Sequence, residues 1–176
     1  MGRPRAAVLA VGLVLAAVLT ADAPAIGSKG PLASDKIACT KRAARAAIVS
    51  SSLPRLIRDE VAGKYPGAGI AQLLCHDFTR DGAVDFAAAI ASGGTSGVQG
   101  WVLFRARGWS WRLAFKRLDL YKGAIRRAGD DVVEIDPVYR SNDPNCCPSG
   151  GFDHLQYRWR HRTMALVRKW HTKKLR

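Results

Sequence analysis

The chain is short of acid. It has 14 Asp and Glu against 28 Lys and Arg, a formal net charge of +14. From Arg158 to Arg176 there are eight Lys or Arg and no Asp or Glu. Such an excess attracts polyanions: nucleic acid, anionic lipid or acidic wall polymer. It equally describes a solvated face that keeps a protein soluble. Catalytic signatures are missing as well. There is no G-x-S-x-G, no S-x-x-K and no carboxylate pair with an assignable acid and base. His76, His154, His161 and His171 show no metal spacing such as H-E-x-x-H. No C-x2-C pair is present, which argues against a thiolate metal cluster. SGGTSG, residues 92–97, lacks a following Lys-Ser/Thr, so it reads as a flexible connection and not as a phosphate loop. There is no internal repeat.

What is present begins with a targeting segment. Arg3 and Arg5 precede an apolar run from Ala6 to Leu19. That run is too short for a stable membrane anchor and fits the core of a signal peptide. Small residues around Ala21 to Ala25 supply cleavage sites, and cleavage after Ala25 avoids a cut just before Pro24. An uncleaved N-terminal anchor is the alternative. No cysteine stands at the boundary to accept a lipid. No second hydrophobic run reaches membrane length, so a cleaved product has no membrane span. The division expected is 1–25 signal peptide, 26–34 linker, 35–170 a single secreted domain and 171–176 a basic tail. A domain of about 150 residues can bury a real core.

The four cysteines are Cys39, Cys75, Cys146 and Cys147. An even count behind a signal peptide points to two disulfides in an oxidising compartment. Three connectivities exist. A Cys146–Cys147 bond is disfavoured because adjacent residues must adopt a strained peptide geometry. The other two both tie the Cys146-Cys147 loop to Cys39 and to Cys75.

The pattern along the chain changes once. Ser34 or Asp35 can cap a helix whose loose apolar stripe is Ile37, Ala38, Ala44, Ile48 and Val49. A second helix fits Arg55 to Lys64, stopped by Tyr65-Pro66-Gly67. From residue 70 the period is two, with turn punctuation. Candidate strands are Ile70 to Phe78, Val84 to Ala91, Gln99 to Arg107, Trp109 to Arg117, a weak one at Ile125, and Val132 to Arg140 with Val133, Ile135 and Val138 inward. The loop at 141–151 is too rich in Pro, Gly and Asn for regular structure. A last hairpin, His154 to Trp159 and Thr163 to Trp170, puts Leu155, Tyr157 and Trp159 on one face and Arg158 and Arg160 on the other. Tyr157-Arg158-Trp159-Arg160 could bind single-stranded nucleic acid by stacking plus charge. Alternation instead buries those aromatics, so nucleic acid is not the expected partner. The tail HTKKLR is expected to fray. The fold class is therefore α+β: an N-terminal helix or two packed on a mainly antiparallel β meander of seven or eight short strands.

One stretch could hold a metal. In HDFTRDGAVDF, residues 76–86, Asp77, Thr79 and Asp81 take alternate positions before Gly82. Ala83 could offer its carbonyl and Asp85 a further carboxylate, an arrangement suited to calcium. Thr79 stands where a carboxylate or amide is usual, Arg80 adds positive charge, and Ala88 occupies the place of a bidentate glutamate. The competing reading is an Asp-Gly turn whose aspartates bond backbone amides.

CHDFTRDG at Cys75 to Gly82, ASGGT at Ala91 to Thr95, PVYRSNDPNCCPSGGFD at Pro137 to Asp153 and YRW at Tyr157 to Trp159 carry a resemblance. Together they resemble a group of uncharacterised secreted actinobacterial proteins with C-x-D-[LFV]-T-x-D-G and DPNCCPxGG motifs. The match spans roughly residues 70–170, with DPNCCP its most specific part. The acidic stretch alone is also similar to FG-GAP calcium repeats, but one copy cannot build a propeller. Where the group has an Asn-Gly or Asp-Gly turn after YxW, this chain has Arg160-His161. The resemblance implies secretion and supplies no catalytic residues. The leading expectation is a non-enzymatic, disulfide-stabilised secreted domain that binds an anionic cell-envelope polymer or another protein. The alternatives are a secreted enzyme with a calcium-supported site near His76 and Asp77, or an inhibitor or interaction module presenting the 142–151 loop.

Overall fold

A computed structural model describes residues 37–175 of the chain. The expected leader, the linker and the cap at Ser34 or Asp35 lie outside these residues. Two helices precede the strands without starting at the chain's N-terminus: α1, Lys41–Val49, and α2, Arg55–Val61. Ile37 and Ala38 are not helical. Thr40 sets the start of α1: it is extended, and its Oγ1 accepts the Ala43 amide at 3.1 Å. Past α2, Gly63 takes φ +80° and its amide donates to the Glu60 carbonyl, closing the helix as a left-handed residue does.

Eight strands follow, all antiparallel to their neighbours. They are β1 Ala68–His76, β2 Asp85–Ser92, β3 Val98–Arg107, β4 Ser110–Arg117, β5 Ala124–Ala128, β6 Asp131–Pro137, β7 Phe152–Arg160 and β8 Thr163–Thr172. The single meander expected is in fact two four-stranded sheets, β1-β2-β3-β4 and β5-β6-β7-β8. The reason lies in β2 and β3, which are apolar on both faces and so need two covers. Phe86, Ala88, Ile90, Val102 and Phe104 pack under Ala44, Ile48, Leu53, Ile57 and Val61 of the helical segment. The alternate residues Ala87, Ala89, Trp101 and Leu103 pack against Ile125, Val132, Tyr157 and Met164 of the second sheet. The layers are thus helices, first sheet, second sheet, and among the described residues no helix lies on the far side of the second sheet.

β6 corrects the expected inward face. Val132 belongs to the inter-sheet core, and Val133 and Ile135 turn the other way. The inward place at 134 is taken by a fully buried glutamate, because Trp101 Nε1 and Arg117 Nε donate to its carboxylate at 2.6 and 2.8 Å. In β7, Tyr157 is buried between the sheets with Leu155 and Trp159 beside that core, as alternation requires. The turn to β8 uses His161 and Arg162, both at positive φ, as a two-residue hairpin loop demands, without a glycine. β8 runs through Thr172, beyond the expected end of the domain at 170.

The disulfides differ from both favoured pairings. Cys39 bonds Cys75, and Cys146 bonds Cys147. Cys39, just before α1, lies beside β1 with its Cα 6.0 Å from that of Cys75, an ordinary disulfide span. The 141–151 loop is held elsewhere: Lys122 Nζ and the Tyr139 hydroxyl bond the Asn145 carbonyl, and the Tyr121 hydroxyl bonds its side chain. Its two cysteines are exposed and bond each other. Among the described residues, no helix is long and apolar enough to cross a membrane.

Candidate functional site

The acidic loop was the one metal candidate. The structure gathers Asp77, Asp81 and Asp85 on a single turn between β1 and β2, then gives every carboxylate oxygen a protein donor. Asp77 accepts the amides of Asp81 and Gly82 at 3.1 and 2.8 Å. Asp81 accepts the Ala83 amide at 3.2 Å and the Arg105 guanidinium at 2.7 Å. Asp85 accepts the amides of Thr79 and Ala106 at 2.8 and 3.2 Å. Burial pushes the Asp85 carboxyl up despite those amides. Arg80 sits at φ +57° and reaches Asp130, which also binds His76 Nε2 at 2.8 Å. These are the bonds of an Asp-Gly turn. Among the described residues, no three His, Cys, Asp or Glu side chains are grouped to hold a metal ion. His76 and Asp77 do not meet: one turns to Asp130, the other to its own loop.

A second polar centre lies between the sheets. Glu134 and Asp136, two residues apart on β6, share the inward face, with Arg117, Asp119 and Tyr157 close enough to influence them. Burial and the nearby Glu134 charge push the Asp136 carboxyl up to about 7. Burial, then Glu134, pushes the Tyr157 hydroxyl up to about 12. Residues Phe115 to Asp119 and Tyr157 line an adjoining cavity of about 520 Å³. E-x-D on a strand does place both carboxylates on one face, so this pair was visible in principle.

The third feature is the open face of the second sheet. Register places Arg126, Val133, Gln156 and Arg168 in one cross-strand row and Ala124, Ile135, His154 and Trp170 in the next. Asp131 is the acid on this face. It is tied to Arg158 at 2.9 Å and to Gln156. Burial works against its ionisation, but these bonds prevail and hold the carboxyl below its usual range. Arg126, Arg168 and Lys174 form no salt bridge among the described residues. The Arg168 guanidinium lies 4.9 Å from the Trp170 ring centre. Trp170 in turn stacks on His154 at 5.0 Å with the rings nearly parallel.

The chain matches no family model, no curated protein and no solved structure. Function is therefore to be read from these three places. None of the cations of the third was singled out in the sequence beyond the general basic excess. Arg126, His154, Arg168 and Lys174 come from three strands and the segment after β8, and only strand register joins them.

Proposed function

We propose that this is an extracytoplasmic, non-enzymatic binding domain whose second sheet presents its uncovered face to an anionic polymer of the cell envelope. One observation carries the reading: among the described residues, Arg126, Arg168 and Lys174 form no salt bridge on that face, while Asp131 there is already spent on Arg158. Unpaired cations on an open sheet face set up a field that attracts a polyanion. The paired cysteines support an oxidising compartment, and the leader expected at residues 1–25 supports export. The actinobacterial resemblance agrees with both.

The test is retention on an immobilised anionic polymer, eluted with salt. The protein should elute late. The variant Arg126→Ala/Arg168→Ala/Lys174→Ala should elute at markedly lower salt, with an unchanged circular dichroism spectrum. Identical elution of the two proteins would end this reading. A second reading, a module presenting the 142–151 loop, is favoured by the way Tyr121, Lys122 and Tyr139 clamp Asn145 and hold the loop outward.

A further inference from the structure

At one end of the open face the surface dips into a cavity of about 220 Å³ lined by Arg126, His154, Trp170, Thr172 and Lys174, with Ile135 and Leu175 as its apolar part. The lining comes from all four strands of the sheet and from the segment after β8. No acidic residue is in it. His154 is only 5% exposed. Its Nε2 lies 2.8 Å from Thr172 Oγ1, and its Nδ1 is buried with no hydrogen-bond partner. Buried ring nitrogens are normally satisfied, so an orphan beside a cavity signals a missing partner. Trp170, parallel to the His154 ring and beneath the Arg168 guanidinium, fixes the plane of that imidazole.

We propose that this cavity binds one phosphate group. Arg126 and Lys174 supply charge, and Thr172 and protonated His154 supply directed hydrogen bonds. The proposal rests on the reading of the open face as an anion-binding surface and gives its ligand a chemical class. Donors arriving from β5, β7, β8 and the following segment surround a tetrahedral anion better than a planar carboxylate, which is met best by one bidentate fork. A phosphate is charged at every relevant pH, and its oxygens can accept from several donors at once.

The site also makes binding depend on pH. In the empty cavity, burial first and then the Arg126 charge hold the His154 imidazole below its usual range, with His171 adding to this and Asp153 opposing it. Asp153 is itself engaged by Lys169 and His171, each at 2.9 Å. Lys174 on the segment after β8 adds positive charge at the mouth. A bound anion favours the imidazolium, so binding takes up a proton. Affinity must then rise as pH falls towards the pKa of the empty site.

The probes are inorganic phosphate and a glycerol phosphodiester, whose single charge does not titrate near neutrality. The readout is the side-chain NMR signals of His154 and of the Trp170 indole, which remains in every variant, in the purified protein titrated at pH 7.5 and at pH 5.5. Saturable shifts at His154 are expected, with affinity for the diester several-fold higher at pH 5.5. Lys174→Ala, an exposed change that leaves the fold alone, should weaken binding about tenfold, and His154→Gln should abolish the pH dependence. Binding of the diester points to a polymer source. Binding of inorganic phosphate alone points to a phosphomonoester. No saturable shift with either probe, in a protein still retained by the anionic polymer, overturns the phosphate site and leaves the open face standing. Loss of polymer retention as well overturns the reading beneath it.

Discussion

The two sheets have the same number of strands in the same order, yet they carry opposite chemistry. The first is covered on both sides, by helices and by its partner, and the middle of β2 from Phe86 to Ile90 is wholly buried. The second is covered on one side. Its inner face holds Val132 and Tyr157, while its outer face holds arginines, a histidine and a tryptophan. Coverage fits the proposed division of roles, with the first sheet closed on both faces and the second presenting the face proposed to bind. A helical layer on both outer faces would have buried the cations at great cost.

Truncating an aromatic on each sheet should expose this difference most strongly. Phe104→Ala, in the doubly covered sheet, should cost about 3–5 kcal/mol in chemical denaturation, as large core deletions do. Trp170→Ala, on the open face, should cost about 1 kcal/mol, near the average for point changes, because the ring is only half-buried. Equal costs would mean that the far side of the second sheet is also covered.

The next effect concerns Asp136, between the sheets. Its carboxyl is raised to about 7 in the folded protein by burial and by Glu134. The ordinary value is about 3.9. The folded state thus holds that proton more tightly than the unfolded chain. Stability from this group is full below about pH 4 and is lost as pH rises through about 7. Asp136→Asn should flatten the fall in melting temperature between those limits. A variant profile parallel to that of the natural protein would show that the carboxylate ionises freely.

A smaller effect is expected in the acidic loop. Asp81→Ala removes an acceptor for Ala83 and Arg105 and should cost about 1 kcal/mol, the net worth of such bonds. The loss should be the same with millimolar calcium and with chelator if the aspartates serve the turn. A calcium-dependent difference would support a metal site at Asp77, Thr79, Asp81, Ala83 and Asp85.

Much of the fold was legible because local signals carried it. Gly108 marked the β3–β4 hairpin, Asp81-Gly82 marked the turn before β2, and alternation in Tyr157-Arg158-Trp159-Arg160 assigned its faces correctly. The failures were all non-local. Splitting one meander into two sheets depends on which faces of β2 and β3 find covers. The inward face of β6 was misjudged because a glutamate at 134 looks like a surface residue until Trp101 and Arg117 are seen to bind it. The cysteine pairing followed from where Cys39 enters beside β1, and spacing does not encode that. The candidate site was invisible for the same reason: Arg126 and His154 are far apart in sequence and become neighbours only through the register of β5, β6 and β7.

On the proposed reading the cations of the open face, and not the basic excess at large, confer affinity for a polyanion. The decisive measurement is the slope of log affinity against log salt for an anionic polymer, because each cation that displaces a counterion steepens it. Three proteins are compared: the natural chain, Arg126→Ala/Arg168→Ala/Lys174→Ala, and Lys41→Ala/Arg42→Ala/Arg112→Ala, whose residues are exposed on the helical side and on β4. Each of the two variants removes three positive charges. A clearly shallower slope and weaker binding are expected for the open-face variant, with the other variant close to the natural protein. Equal losses in both variants would contradict it.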